Sequence, residues 1–430
     1  MHANDNSFRY YYFNYLVFII RVTYFMFQCR PAIWMSIYQF TFFFAYGVYL
    51  PFRGLWLEKL GITDADIGML VGLGLASRCI INFTLTPLCH KVEHLIPALR
   101  LSMFLGVLGF ISFIYIGELK ASFWVLAILI IMFNLAIGPA VAISDAISNH
   151  YAADKQLDYG YTRLWGAVAL TVASASMGLI TKHWGITAVP ILGALGLFIT
   201  FLGTMIKPTV PMKCNHKKTD KINIIKVLCD KKTLIFILVA SLLEGSHGGY
   251  YFFSAIYWKD AGYSTEVIGY LWSLSTISVI VFYFISRKAF SNWQVKSLFK
   301  LAAVTVVIRW ALMAYSTELP VLIVCQILHG ITFSGTILSS VRYVEENKKH
   351  NYMGLQALYH AIPAGFALAL VSAACGWIYH HSDINVFWFM AAMGVPCLFL
   401  SVIGDGDDDK DKQRTYGQTV RFSPEEQNSI

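Results

Sequence analysis

The chain has 430 residues, of which 57% are apolar and only 13% are charged, with a formal net charge of +8 at pH 7. An ordinary soluble domain carries about 25% charged residues, and this much apolar surface would need several cores to hide it from water. A lipid bilayer hides it instead, so the composition excludes a soluble enzyme, and the basic balance gives no support to nucleic-acid binding.

The chain opens on residues 1–32, a segment rich in Tyr, Phe and Asn. Its apolar run from Tyr10 to Phe27 is broken by Arg21 and lacks the small-residue cleavage site of a signal peptide. It reads as a cytoplasmic extension, or as an upstream segment that a start at Met26 would omit, and not as a thirteenth span. A span needs about 20 predominantly apolar residues. Twelve such runs follow, at 33–57, 65–87, 97–118, 122–148, 160–182, 186–206, 234–257, 264–285, 298–316, 319–341, 353–379 and 384–403. The longest hydrophilic gap, the basic stretch 207–233, divides them into six (33–206) and six (234–403). The expectation is an all-α membrane protein of two six-helix bundles joined by a cytoplasmic linker. Residues 404–430 carry Asp405, Asp407, Asp408, Asp409 and Asp411. Their spacing lacks the Gly and bidentate Glu of a calcium loop, so they read as an acidic, disordered cytoplasmic tail.

The two halves repeat. Gly47 to Leu73 aligns without a gap on Gly248 to Leu274, an offset of 201 residues. Gly47, Tyr49, Gly61, Ile67, Gly68, Leu70 and Leu73 fall on Gly248, Tyr250, Gly262, Ile268, Gly269, Leu271 and Leu274. Each copy runs from one apolar span through a short polar turn into the next. Halves repeated in the same orientation are the mark of a two-bundle secondary transporter, with an axis along the membrane normal. With the N-terminus placed inside, the inside loops and tail, with Arg100, Arg163 and Lys300 at the inner ends of their spans, hold 23 Lys and Arg. The outside turns hold five: Arg53, Lys59, Lys120, Lys182 and Lys259. That bias orients the chain with both termini cytoplasmic. Eight cysteines are scattered without a C-x-x-C pair, and Cys214 and Cys229 lie in the reducing cytoplasm, so neither disulfides nor a metal site is expected. No cofactor-binding motif is visible.

Ionisable side chains inside spans are costly, and each is a functional candidate. Asp145 in the fourth span and Arg163 opening the fifth are joined by a short turn, so the two charges face each other on antiparallel neighbours. Glu244 and His247 lie three apart in the seventh span, hence on one helical face. The run Gly245-Ser246-His247-Gly248-Gly249 lets that helix break, as transporter helices do at their sites. A carboxyl held there, away from water, suits proton carriage. Arg309 in the ninth span and His329 in the tenth are expected to meet as a proton relay. Arg78 in the second span needs a partner elsewhere, an anionic substrate or Asp145. Tyr250, Tyr251, Trp272 and Trp310 flank these charges, and aromatic walls around a cationic anchor suit a small aromatic carboxylate, though sugars and nucleosides also stack on such walls.

At these residues the chain resembles the major facilitator superfamily, and within it the 3-phenylpropionate permease family, relatives of lactose permease and the nucleoside:proton symporters. The resemblance covers about residues 30–403. It is carried by Tyr46-Gly47-Val48-Tyr49-Leu50-Pro51-Phe52, Leu157-Asp158-Tyr159-Gly160, Arg163-Leu164-Trp165-Gly166, Phe253-Ser254-Ala255-Ile256-Tyr257-Trp258 and Gly269-Tyr270-Leu271-Trp272-Ser273-Leu274. It implies the major facilitator fold, alternating access and proton-coupled symport of a small organic acid in a bacterial inner membrane, by a monomer without cofactor. Asp145 and Arg163 are similar in position to the sugar-binding acid–arginine pair of lactose permease, and Arg309 and His329 to its coupling pair. The chain departs from those patterns in four places. Thr332 stands where the lactose permease has its proton-carrying glutamate, and Leu170 where it has its sugar-stacking tryptophan. Glu244 replaces a glutamine of the phenylpropionate permeases. The loop His90-Lys91-Val92-Glu93-His94 is a poor copy of the superfamily's Gly- and Arg-rich signature. The expected substrate site is therefore Asp145, Arg163, Arg78, Tyr250, Tyr251, Trp272 and Trp310, and the expected coupling site Glu244, His247, Arg309 and His329. The alternative reading is nucleoside or sugar symport on the same scaffold, and a membrane sensor that does not transport comes last.

Overall fold

The computed structural model describes residues 28–85, 92–118, 122–212 and 230–402 of the chain. The linker core and tail, with Cys214, Cys229 and the aspartates after Gly404, lie outside the described residues, as does the extension up to Met26. The rest is almost wholly helical, and the helices fall on the twelve expected spans. Eight helices are each long and apolar enough to cross a membrane, and a ninth crossing is the bent pair Pro31–Tyr49 and Arg53–Lys59, which meet at 41°. The remaining three expected spans fall on Asp64–Leu85, the broken pair Lys231–Gly245 and Tyr250–Asp260, and Asp383–Phe399, which are shorter or less apolar.

Order begins earlier than the expected boundary at residue 33. Gln28–Cys29 pairs in parallel with Lys207–Pro208, and the first helix starts at Pro31. A two-residue ladder across this sequence distance has a topological meaning. The segment before the first span and the segment after the sixth lie side by side, which an even number of crossings requires. Tyr151 reinforces the same end by donating to the Val210 carbonyl at 2.8 Å.

The repeat is visible in the backbone. Gly61 and Gly262 have φ of +79° and +92°, conformations that L side chains rarely adopt. Each closes its helix with the same pair of bonds, Gly61 N–H to Glu58 O and Ile62 N–H to Leu57 O, then Gly262 N–H to Lys259 O and Tyr263 N–H to Trp258 O. This is the helix-ending motif in which a left-handed glycine recovers the last carbonyls. Thr63 and Ser264, again counterparts, then cap the next helices through the amides of Asp66 and Val267.

The bundles meet along two symmetry-related seams. In one, a Cβ on Gly68 of the second span would sit 2.4 Å from the Cα of Gly376 in the eleventh. In the other, a Cβ on Gly269 of the eighth span would sit 2.6 Å from the Ser174 carbonyl and 3.0 Å from the Cα of Gly178 in the fifth. Without a hydrophobic force between helices in lipid, such small residues are what let backbones touch. Two ion pairs close the same end of the molecule, Lys182 to Glu266 at 2.6 Å and Lys259 to Glu58 at 2.7 Å. The second joins positions that are themselves repeat counterparts.

Candidate functional site

The ion pair between the fourth and fifth spans forms directly. Arg163 Nη1 donates to Asp145 Oδ1 at 2.9 Å, and Tyr159 Oη donates to the same oxygen at 3.2 Å. The local cause is the short turn after Ala153, in which Lys155 takes a φ of 56°. Asp158 then caps the fifth span through the Tyr161 amide at 2.8 Å. The Arg163 guanidinium lies 5.0 Å over the Phe43 ring. His360 of the eleventh span, in the other bundle, lies within electrostatic reach of Asp145. Side-chain exposures of 37% and 30% make it a half-open pair rather than a sealed one. A pair this open contributes about 1 kcal/mol or less to stability, which leaves its charges free for a ligand.

Arg78 does not reach Asp145. Its guanidinium donates to Asn134 Oδ1 at 3.0 Å and to Tyr46 Oη at 3.4 Å, both neutral. Its Nε has no hydrogen-bond partner. A small cavity lies beside it inside the N-terminal bundle, lined by Phe42, Tyr46, Tyr49, Phe110 and Phe133.

In the C-terminal half the seventh span breaks where the glycines and serine allow it, between Gly245 and Tyr250. The α-helix ends between the two groups expected to share a face, and the His247 N–H donates to the Glu244 carbonyl at 3.1 Å in the turn that follows. Glu244, in the last helical turn, accepts from Tyr359 Oη of the eleventh span at 2.8 Å. His247, in the turn beyond, contacts the Leu243 carbonyl through Nδ1 at 3.1 Å and Thr332 Oγ1 through Nε2 at 3.2 Å.

Arg309 and His329 share a cluster without bonding to each other. Arg309 is fully buried and donates from Nε to the Cys325 carbonyl at 2.8 Å and from Nη1 to Thr332 Oγ1 at 3.3 Å. Thr332 therefore bridges Arg309 and His247. The guanidinium stacks 3.9 Å from the Trp310 centroid and 4.6 Å from that of Tyr250. Tyr250 also stacks on Trp272 at 4.7 Å and lies 5.4 Å from the His329 ring, and its hydroxyl donates to Gln326 Oε1 at 2.8 Å. Tyr251 stacks on His247 at 6.1 Å. Three polar atoms of this box have no partner: Arg309 Nη2, Trp272 Nε1 and His329 Nδ1.

Two π-helical segments flank the break. Gly330–Ser334 contains Thr332, the partner of His247, and Ile362–Ala367 begins three residues after Tyr359, the partner of Glu244. Such wide turns are rare and concentrate at functional sites. Tyr359, Gln326, Asn134 and Tyr159 were not singled out from sequence. Of these only Tyr159 had a local signal, its place in the turn between Asp145 and Arg163.

The N-terminal bundle holds a related aromatic box. Tyr49, the counterpart of Tyr250, packs against Phe110 at 5.2 Å and Phe133 at 5.8 Å, where Tyr250 meets Trp310 and His329. The repeat has kept the tyrosine with a guanidinium beside it, Arg53 at 5.2 Å from Tyr49 and Arg309 at 4.6 Å from Tyr250.

Known proteins agree with this architecture. The chain is 34% identical over 368 residues to the probable 3-phenylpropionic acid transporter of Escherichia coli (strain K12), covering 85% of this chain and 96% of that one. It is 22% identical over 357 residues to the putative nucleoside transporter YegT of the same strain, covering 78% and 81%. The crystal structure of the nucleoside transporter NupG superposes with a TM-score of 0.75 at 18% identity, covering 86% of this chain and 98% of that one. The twelve spans and the paired bundles are thus those of the major facilitator fold. The MFS_1 like family matches residues 32–390, and the chain belongs to that family as a membrane transporter of small molecules.

Proposed function

We propose that the chain is a proton-coupled symporter of a small organic anion, an aromatic acid of the phenylpropionate kind, working by alternating access. The observation that carries this reading is the charge balance inside the spans. Arg163 is matched by Asp145, whereas Arg78 and Arg309 have no carboxylate within ion-pair distance among the described residues. Glu244 is the one other carboxylate well inside the described spans, and Tyr359 engages it. A membrane interior that holds unmatched guanidinium groups beside aromatic walls favours an anion with a ring. The name of the 34% identical relative points the same way.

In this reading Asp145, Arg163 and Arg78 hold the substrate from the N-terminal side, and Tyr250, Tyr251, Trp272 and Trp310 supply ring contacts from the C-terminal side. Glu244 carries the proton, with His247, Arg309 and His329 around it. The protein works as a monomer in a bacterial inner membrane with both ends in the cytoplasm, a topology supported by the loop charges. Nucleoside or sugar symport is the second reading, favoured by the likeness to YegT.

Competition separates the two. Uptake of labelled 3-phenylpropionate into vesicles should fall in the presence of other aryl carboxylates and be insensitive to 3-phenylpropionamide, uridine and maltose. Inhibition by uridine or maltose in place of carboxylates would reverse the choice.

A further inference from the structure

Arg53 has no role in the sites above, yet it is the most unusual group at the closed end of the molecule. It stands at the start of the short helix Arg53–Lys59, just past the bend of the first span, and is only 6% exposed. Its guanidinium lies 5.2 Å over Tyr49 of its own bundle and 4.2 Å over Phe252 of the opposite bundle. Its Nε has no hydrogen-bond partner, and no carboxylate comes within ion-pair distance among the described residues. The contact across the seam is tight, since a Cβ on neighbouring Gly54 would sit 2.2 Å from the Phe252 carbonyl. Ser254, the repeat counterpart of Arg53, is also buried with an unpartnered hydroxyl.

A buried cation that lies between two rings with no carboxylate beside it and its Nε unpartnered is costly unless something else sometimes takes its charge. Here the two rings belong to different bundles, so the arrangement lasts only while this end is closed. Opening breaks the exposed pairs Lys182–Glu266 and Lys259–Glu58 and carries Phe252 away. Arg53 is then left at the mouth with one face bare and its Nε unpartnered. The loop charges make this the outer end, where substrate arrives.

We propose that Arg53 is an outer recruiting site for the carboxylate of the transported anion. It captures the anion when the bundles part and gives it up as Phe252 returns to cover the guanidinium. This rests on the reading of the substrate as an anion. It separates Arg53 from Arg78 and Arg309, which lie deeper and keep their hydrogen bonds within one bundle.

The test is uptake of 3-phenylpropionate by the full chain in vesicles, with protein amount measured in each membrane. Arg53→Gln is expected to raise KM about tenfold, the loss of one charge-assisted contact, with the maximal rate largely kept. Arg53→Lys, which preserves the charge, is expected to restore most of the affinity. Phe252→Leu removes the ring and not the charge, and is expected not to raise KM. Added salt should raise KM in the parent and have little effect in Arg53→Gln. Equal KM values in the parent and Arg53→Gln, or the same rise in Phe252→Leu as in Arg53→Gln, would overturn the proposal by making Arg53 a structural clip. If Arg53→Gln fails to reach the membrane, the salt dependence of the parent and the KM of Arg53→Lys decide. Absence of uptake of any carboxylate by the parent would remove the anion reading and this site with it.

Discussion

Arg163→Ala should lose uptake by roughly tenfold to a hundredfold, the range for removing a charge-assisted contact to a ligand, with the protein still inserted. The geometry explains why function and stability part company here. A pair exposed by about a third on each side contributes about 1 kcal/mol or less to the fold, so the larger penalty for breaking a sealed pair does not apply. The variant that separates the readings is the double change Asp145→Asn with Arg163→Ala. It removes both charges and leaves no uncompensated carboxylate. If the pair only braces the fourth and fifth spans, the double variant should recover transport lost by the single one. If the pair holds substrate, the double variant stays as poor as Arg163→Ala. Full uptake by Arg163→Ala itself would make the pair dispensable.

Glu244→Gln carries the second large effect. Its amide oxygen can still accept from Tyr359 at the same 2.8 Å position, so the packing of the seventh span on the eleventh is preserved while the titratable proton is removed. Accumulation against a gradient should disappear, and exchange of labelled for unlabelled substrate should persist. The placement matters because Thr332 stands where a related permease has its carboxylate, and here its hydroxyl binds Arg309 and His247 instead. Unchanged pH-driven accumulation in Glu244→Gln would reject this residue and move the assignment to His329, whose Nδ1 is unpartnered.

Much of the fold was legible because lipid imposes a simple rule on each span separately. Apolar length gave the twelve segments, and glycines at Gly61 and Gly262 marked the two turns that repeat. The break at Gly245 to Gly249 was visible in composition, and the Asp145–Arg163 pair in the shortness of one turn. Contacts between distant spans were not visible. Tyr359 meets Glu244 across 115 residues, and nothing distinguishes it in sequence from the other tyrosines. Arg78 turned to Asn134 because the second and fourth spans pack closely beside Gly74, whose own Cβ would lie 2.7 Å from the Asn134 amide. Glu244 and His247 stand on either side of the helix end at Gly245, and their separate partners, Tyr359 and Thr332, come from spans far away in sequence. The N-terminal strand beside Lys207 was missed for a related reason, since two residues carry no periodicity.

A proton gradient is expected to drive a small aromatic anion through this chain. Purified protein in liposomes, with labelled 3-phenylpropionate outside, tests it most directly. An acidic exterior imposed across the membrane should produce transient accumulation inside, above the level reached without a gradient and abolished by a protonophore. Accumulation that ignores the imposed pH difference would contradict the account.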